Sequence, residues 1–222
     1  MIKHVIWSSM IDYPGKTCAV LFTGACNFKC GFCYNKSLNN QDDMNFEESI
    51  LPKLLSRKDF VDHVIISGGE PTIDPDFDKI IKLLYDNGFT IGIHTNGSNP
   101  DIVERNIDKI SYFGVDIKTS KVKYNNIVGI TFDTKKLEET IKLILENNKD
   151  YEFRTTLFPK EVDMNDVIKI AKWLKENDVK HYHLQQYYPV NGAEVVKQYS
   201  LEEITLMQQE CNKILPTILK TK

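Results

Sequence analysis

Short apolar runs along this chain alternate with longer stretches in which apolar side chains recur every three to four residues. The short runs are Ala19–Thr23, His63–Ser67, Thr90–His94, Tyr112–Ile117, Tyr151–Leu157 and His181–Gln186, and they read as strands. The longer ones lie near Phe46–Arg57, Asp76–Asn87, Pro100–Lys109, Lys135–Asn147 and Asp163–Glu176, and a last one begins near Ser200. Their spacing predicts amphipathic helices. Local punctuation agrees. Asn87-Gly88 suits a helix C-terminus, where glycine takes the left-handed conformation at little cost. Ser200 followed by Glu203 reads as a capping box.

Strands alternating with helices imply βα units and a parallel sheet. Six units are too few for a closed eight-stranded barrel and enough for an open one. The expected fold is therefore α/β, a partial (β/α)6 barrel with parallel strands, in a single domain over residues 1–222. In such folds the loops at the C-terminal ends of the strands carry the chemistry.

Composition narrows the function classes. Lysines are spread among acids, with a formal net charge of −3, so neither a nucleic-acid nor a membrane surface is expected. No apolar run approaches the length needed to span a bilayer, and the opening MIKHVIWSSMIDYPGK does not read as a secretory signal. The expected location is the cytoplasm. Of the 5 cysteines, Cys26, Cys30 and Cys33 crowd together while Cys18 and Cys211 stand apart. An odd count in a reducing compartment argues against a disulfide framework, and clustering there points to metal or redox chemistry. Cys18 and Cys211 are expected to be ordinary core residues.

The segment from Gly24 to Cys33 follows the first predicted strand directly and reads Cys-x3-Cys-x2-Cys. A short loop of this kind can wrap three thiolates around one iron–sulfur cluster. On a four-iron cube, three ligands leave one iron open, as a reactive centre requires. The alternatives are a zinc site or structural cysteines. Tetrahedral zinc needs a fourth ligand; Tyr34 is a poor one, and His63 and His94 are distant in sequence.

Cys-x3-Cys-x-Phe-Cys just after a first strand resembles the signature of the radical S-adenosylmethionine superfamily. That resemblance implies a 4Fe–4S cluster on Cys26, Cys30 and Cys33, with its open iron chelating the methionine moiety of S-adenosylmethionine. Reductive cleavage then gives a 5′-deoxyadenosyl radical. Phe32 matches the aromatic position of the signature, and also reads as a simple apolar lid.

Further motifs fall after later strands. Ser67-Gly68-Gly69-Glu70-Pro71 is similar to the superfamily's Gly-Gly-Glu-Pro motif, which implies that Gly68, Gly69 and Glu70 receive the ammonium of S-adenosylmethionine. On its own the segment is a tight turn. His94-Thr95-Asn96-Gly97 sits where the family often has Asp-Thr-Asn-Gly. Asn96 is a candidate cofactor contact, but a neutral His94 is a poor ligand for a hard cation, so no second metal is assigned. Asp116 and Lys118 point the same way along the fourth strand, and resemble the Asp-x-Lys of glycyl-radical activating enzymes, by the ribose and carboxylate of the cofactor. Arg154 matches a family arginine that meets the same carboxylate. For both, a plain salt bridge is the competing reading. The last strand would lie near the adenine, and His183 on it is expected to be satisfied structurally.

The opening Asp12-Tyr13-Pro14-Gly15 looks like that of the activating protein of anaerobic ribonucleoside-triphosphate reductase, as do the Asn96–Pro100 and Val128-Gly129 stretches. By itself the opening reads as a proline–glycine turn. The resemblance implies a glycyl-radical enzyme as partner and a low-potential electron donor such as flavodoxin or ferredoxin. Another glycyl-radical enzyme or a small molecule stays open as the substrate. The Ser200–Lys222 tail is expected to be a covering helix.

Overall fold

The computed structural model describes residues 1–189 and 196–221. The chain opens with β1 (Ile2–Tyr13) and β2 (Lys16–Thr23), followed by α1 (Leu51–Leu55), β3 (His63–Gly68), α2 (Phe77–Asp86), β4 (Thr90–Thr95) and α3 (Pro100–Asn106). Then come β5 (Ile110–Asp116), α4 (Tyr124–Val128), α5 (Lys135–Glu146), β6 (Asp150–Leu157) and α6 (Met164–Glu176). It closes with β7 (Tyr182–Gln186), α7 (Leu201–Asn212) and β8 (Thr217–Lys220). This is an α/β fold built on parallel strands. The six strands read from the sequence are β2 to β7.

Two strands were not foreseen. β1 pairs with β2 antiparallel, a departure from the all-parallel expectation, and bulges interrupt the pairing. Its interleaved polar positions and shifted register break the alternation by which a strand is read. β8 is only four residues long and pairs parallel with β7, so the C-terminal tail is a helix and then a strand rather than a covering helix alone.

The chain forms two compact units. The first contains residues Met1–Asn27, Asn35–Gly114 and Glu139–Tyr151; the second contains Phe28–Tyr34, Val115–Glu138 and Glu152–Lys222. In the first, β2–β3 and β3–β4 pair parallel. Val64, Ile65 and Ile66 are all buried, as expected of a strand covered on both faces. α2 buries Phe77, Ile80, Ile81 and Leu84, one face of a 3.6-residue period. Asn87 ends it and Gly88 follows at φ +71°. The predicted helix from Phe46 is shorter than read. Pro52 has no N–H to bond back, and a wide π-type turn over Phe46–Ile50, capped by the Asn45 side chain, precedes α1.

In the first unit Pro14 and Gly15 form the β1–β2 turn, with Gly15 at φ +68°, while Tyr13 packs against Cys18, Val20, Ile65 and Tyr112. In the second unit β6–β7 and β7–β8 are parallel, and Arg154 is in register with His183. The capping box at the start of α7 is present, with Ser200 and Glu203 hydrogen-bonded reciprocally. Asp163 and Asp166 make a second one on α6. Cys18 and Cys211 are buried free thiols, as expected of core cysteines. Among the described residues no helix is long and apolar enough to cross a membrane.

Candidate functional site

Within the first unit, strand register brings two loops together. Thr23, the last residue of β2, lies opposite Gly68, the last of β3. The segment leading to Cys26 therefore leaves the sheet beside Gly69-Glu70. Gly69 N–H donates to Thr23 O at 2.9 Å and Glu70 N–H to Ala25 O at 2.7 Å. This approach needs glycine: Gly68 sits at φ +111°, and a Cβ on Gly69 would stand 2.0 Å from Ala25 O.

Glu70 is 0% exposed. Its Oε1 accepts from Thr72 N–H at 3.1 Å, Thr72 Oγ1 at 2.6 Å and Thr95 Oγ1 at 2.7 Å, while Oε2 accepts from Asn96 N–H at 2.6 Å. Burial pushes the carboxyl up, and these hydrogen bonds pull the other way. The acid thus brackets the loops after β3 and β4. Gly68 O accepts from the Asn35 amide at 2.6 Å, a contact the sequence reading missed. An asparagine two positions after the third cysteine was the available signal.

Asn96 is engaged at both ends of its side chain. Nδ2 donates to Asn27 Oδ1 at 2.9 Å, and Oδ1 accepts from Ser98 N–H at 3.0 Å. His94 Nε2 donates to Asp12 O at 3.1 Å, which ties the end of β4 to the N-terminal hairpin. This gives the histidine in place of the aspartate a structural use. Cys26 is exposed.

In the second unit Cys30 is buried and Cys33 half-buried. Their loop is anchored by Lys29 N–H on Val128 O at 2.8 Å, and Phe32 stacks on Phe158 with ring centroids 5.0 Å apart. Burial pushes the Cys30 thiol up, and the Lys118 ammonium opposes that. Asp116 accepts from Arg154 Nε at 2.6 Å and from Lys118 Nζ at 2.9 Å. Burial disfavours its charge, but Arg154 and then Lys118 outweigh it and hold the carboxyl below the usual carboxylate range. The three residues read from the sequence are therefore one charge cluster. Tyr124, which the sequence did not flag, accepts from Lys118 N–H at 3.4 Å, and burial pushes its phenol up.

His183 departs from expectation. It is buried, yet neither ring nitrogen has a hydrogen-bond partner among the described residues; Nδ1 stands 3.5 Å from Glu152 Oε1. Glu152 is itself held by Lys220 Nζ at 2.5 and 2.6 Å. Burial lowers the imidazole to about 4, with Glu152 opposing. Below the ordinary value of 6.5 the unfolded chain then binds a proton that the folded chain does not, so stability falls with pH from 6.5 down towards 4. By pH 5 the loss is about 2 kcal/mol, or roughly 4–8 °C in melting temperature. Melting curves at pH 7 and pH 5 should show this drop in the wild type and a smaller one in His183→Gln. Equal drops would contradict a buried neutral imidazole.

None of the five cysteines is in a disulfide, and among the described residues no three His, Cys, Asp or Glu side chains are placed to hold a metal ion. The fit to a cluster rests on donor chemistry and spacing: three cysteines on one short loop, none in a disulfide, are a proper set for an iron–sulfur cube.

A parallel α/β sheet whose first parallel strand runs straight into a three-thiol loop defines a class of metalloprotein rather than one activity. The profile of the Radical SAM superfamily matches residues 20–174, and the chain belongs to that superfamily. It is a radical S-adenosylmethionine enzyme, and its cofactors are a 4Fe–4S cluster and S-adenosylmethionine. A candidate glycyl-radical enzyme activating enzyme of Methanocaldococcus jannaschii is 34% identical over 85% of this chain and 80% of its own length. The S-adenosyl-L-methionine-dependent tRNA 4-demethylwyosine synthase of the same organism is 30% identical over 72% of this chain and 48% of its own length. Streptococcus suis SuiB bound to S-adenosylmethionine superimposes with a TM-score of 0.69 at 22% identity, over 91% of this chain and 50% of that one. The shared fold is what this superposition establishes, and the chain spans about half the length of that structure.

Proposed function

We propose that this chain, as one radical S-adenosylmethionine domain over residues 1–222, is a glycyl-radical enzyme activating enzyme. The observation that carries the reading is the 34% identity over 85% of the chain to a candidate activating enzyme. Cys26, Cys30 and Cys33 hold the cluster in this reading. When bound, the cluster would supply the electron for reductive cleavage of S-adenosylmethionine, the chemistry by which a hydrogen atom would be removed from a glycine Cα of the partner.

This chain's own residues bind and orient. Backbone carbonyls of Gly68 and Gly69 accept from the cofactor's ammonium. Glu70 sets their loop, since its carboxylate is already occupied by Thr72, Thr95 and Asn96. Lys118 and Arg154 present cations to the cofactor's carboxylate, and Asp116 aligns both. Phe32 covers the cluster loop with an apolar ring. No side-chain acid or base is required for hydrogen abstraction. The partner we assign is anaerobic ribonucleoside-triphosphate reductase, on the Asp12–Gly15 opening, with flavodoxin or ferredoxin as electron donor.

The test is anaerobic incubation of reconstituted enzyme with S-adenosylmethionine, a low-potential reductant and that reductase. A glycyl-radical doublet in the reductase, matched by 5′-deoxyadenosine, supports the assignment. Cofactor cleavage without a radical on any glycyl-radical enzyme offered would overturn it in favour of a small-molecule or RNA substrate.

A further inference from the structure

Asn27 lies inside the cysteine motif, directly after Cys26, and has no assigned role. Its side chain leaves the loop and is held at both ends within the first unit. Nδ2 donates to Ser98 Oγ at 2.8 Å, and Oδ1 accepts from Asn96 Nδ2 at 2.9 Å. Asn96 in turn is fixed by its own N–H on Glu70 Oε2 at 2.6 Å and by Ser98 N–H on its Oδ1 at 3.0 Å. Asn96 and Ser98 are buried, so these bonds are shielded from competing water. Thr140 Oγ1 fastens the same loop from below at Gly97 O, at 3.0 Å. The backbone on the other side of Cys26 is pinned as well, by Glu70 N–H on Ala25 O at 2.7 Å. Cys26 is thus an exposed thiol whose two neighbours are tied to the loops after β3 and β4. An exposed residue on an untied loop would sample many positions.

We propose that Asn27 and Asn96 are a positioning pair that presets Cys26 for the cluster. Neither side chain touches the cofactor in this assignment. This places Asn96 outside the set of cofactor contacts inferred from the sequence motif. The inference rests on the reading of Cys26 as a cluster ligand. Groups behind metal ligands commonly contribute 10–100-fold to metal affinity or activity.

The test uses the full-length reconstituted protein and follows cluster loss to a chelator under anaerobic conditions. Asn27→Ala and Asn96→Ala are each expected to lose the cluster about tenfold faster than wild type. The double variant should be no faster than either single, because the two side chains act as one unit. Asn27→Asp should restore slow loss, since a carboxylate can accept from both Asn96 Nδ2 and the Ser98 hydroxyl. Cluster-free melting temperatures of the single variants should stay within about 4 °C of wild type. If Asn27→Ala does not fold, Ser98→Ala removes one partner of the Asn27 amide and should give a smaller acceleration, which Ser98→Thr, keeping the hydroxyl, should reverse. Loss rates equal to wild type, or single effects that multiply in the double variant, would overturn the positioning pair. A wild type that takes up no cluster would instead overturn the ligand reading beneath it.

Discussion

Cys30→Ala should leave a folded protein that takes up iron at background level and no longer cleaves S-adenosylmethionine. Cys30 is 8% exposed, on a loop fixed by Lys29 on Val128 and by Phe32 stacked on Phe158. Burial pushes its thiol up, and the nearby Lys118 ammonium opposes that in part. A core cysteine has no such cation beside it. Cys18 provides the control, being a fully buried free thiol packed with Tyr13, Val20, Ile65 and Tyr112. Cys18→Ala should cost about 1 kcal/mol of stability through lost packing and leave iron content unchanged. Iron per chain, with 5′-deoxyadenosine as the activity readout, separates the two. Full iron and undiminished cleavage in Cys30→Ala would contradict the ligand assignment.

Asp116→Ala should be the most damaging change in the charge cluster. It removes the acceptor of both Arg154 Nε and Lys118 Nζ, the carboxylate that the two part-buried cations share. Breaking such a group by deleting one partner costs up to 3–5 kcal/mol when fully buried. With Asp116 still 30% exposed, about 2 kcal/mol is expected, or roughly 4–8 °C in melting temperature. Lys118→Ala leaves Asp116 paired with Arg154, so stability should change little. Its loss removes a charge-assisted hydrogen bond to the cofactor's carboxylate, and the Kd for S-adenosylmethionine should rise about tenfold. Thermal melting and equilibrium binding on the reconstituted protein give both numbers. Unchanged binding in Lys118→Ala would remove its cofactor role and leave the plain salt bridge.

The strands β2 to β7 were legible because each is a short, nearly continuous apolar run between helix-like stretches. β1 was not, since an edge strand with bulges shows no clean alternation, and β8 is too short to display a period. The cysteine motif was legible because its spacing is a local property. Asp116, Lys118 and Arg154 were named individually, but that one carboxylate aligns both cations depends on a contact distant in sequence, where Ile117 N–H donates to Arg154 O. Glu70 was found by its motif, yet its use within the protein, four hydrogen bonds from the Thr72 and Thr95–Asn96 segments, follows from burial that sequence spacing does not encode. The same holds for Asn27, whose partners lie about seventy residues away. His183 was read as satisfied because most strand histidines are; here the nearest acid, Glu152, is already held by Lys220.

The most direct test of the central claim is anaerobic reconstitution with iron and sulfide, followed by electron paramagnetic resonance of the reduced protein with and without S-adenosylmethionine. The expected result is a reduced 4Fe–4S signal whose g values change when S-adenosylmethionine is added, which reports an open iron that ligates the cofactor. A colourless protein that takes up only zinc, or a cluster signal indifferent to S-adenosylmethionine, would contradict it.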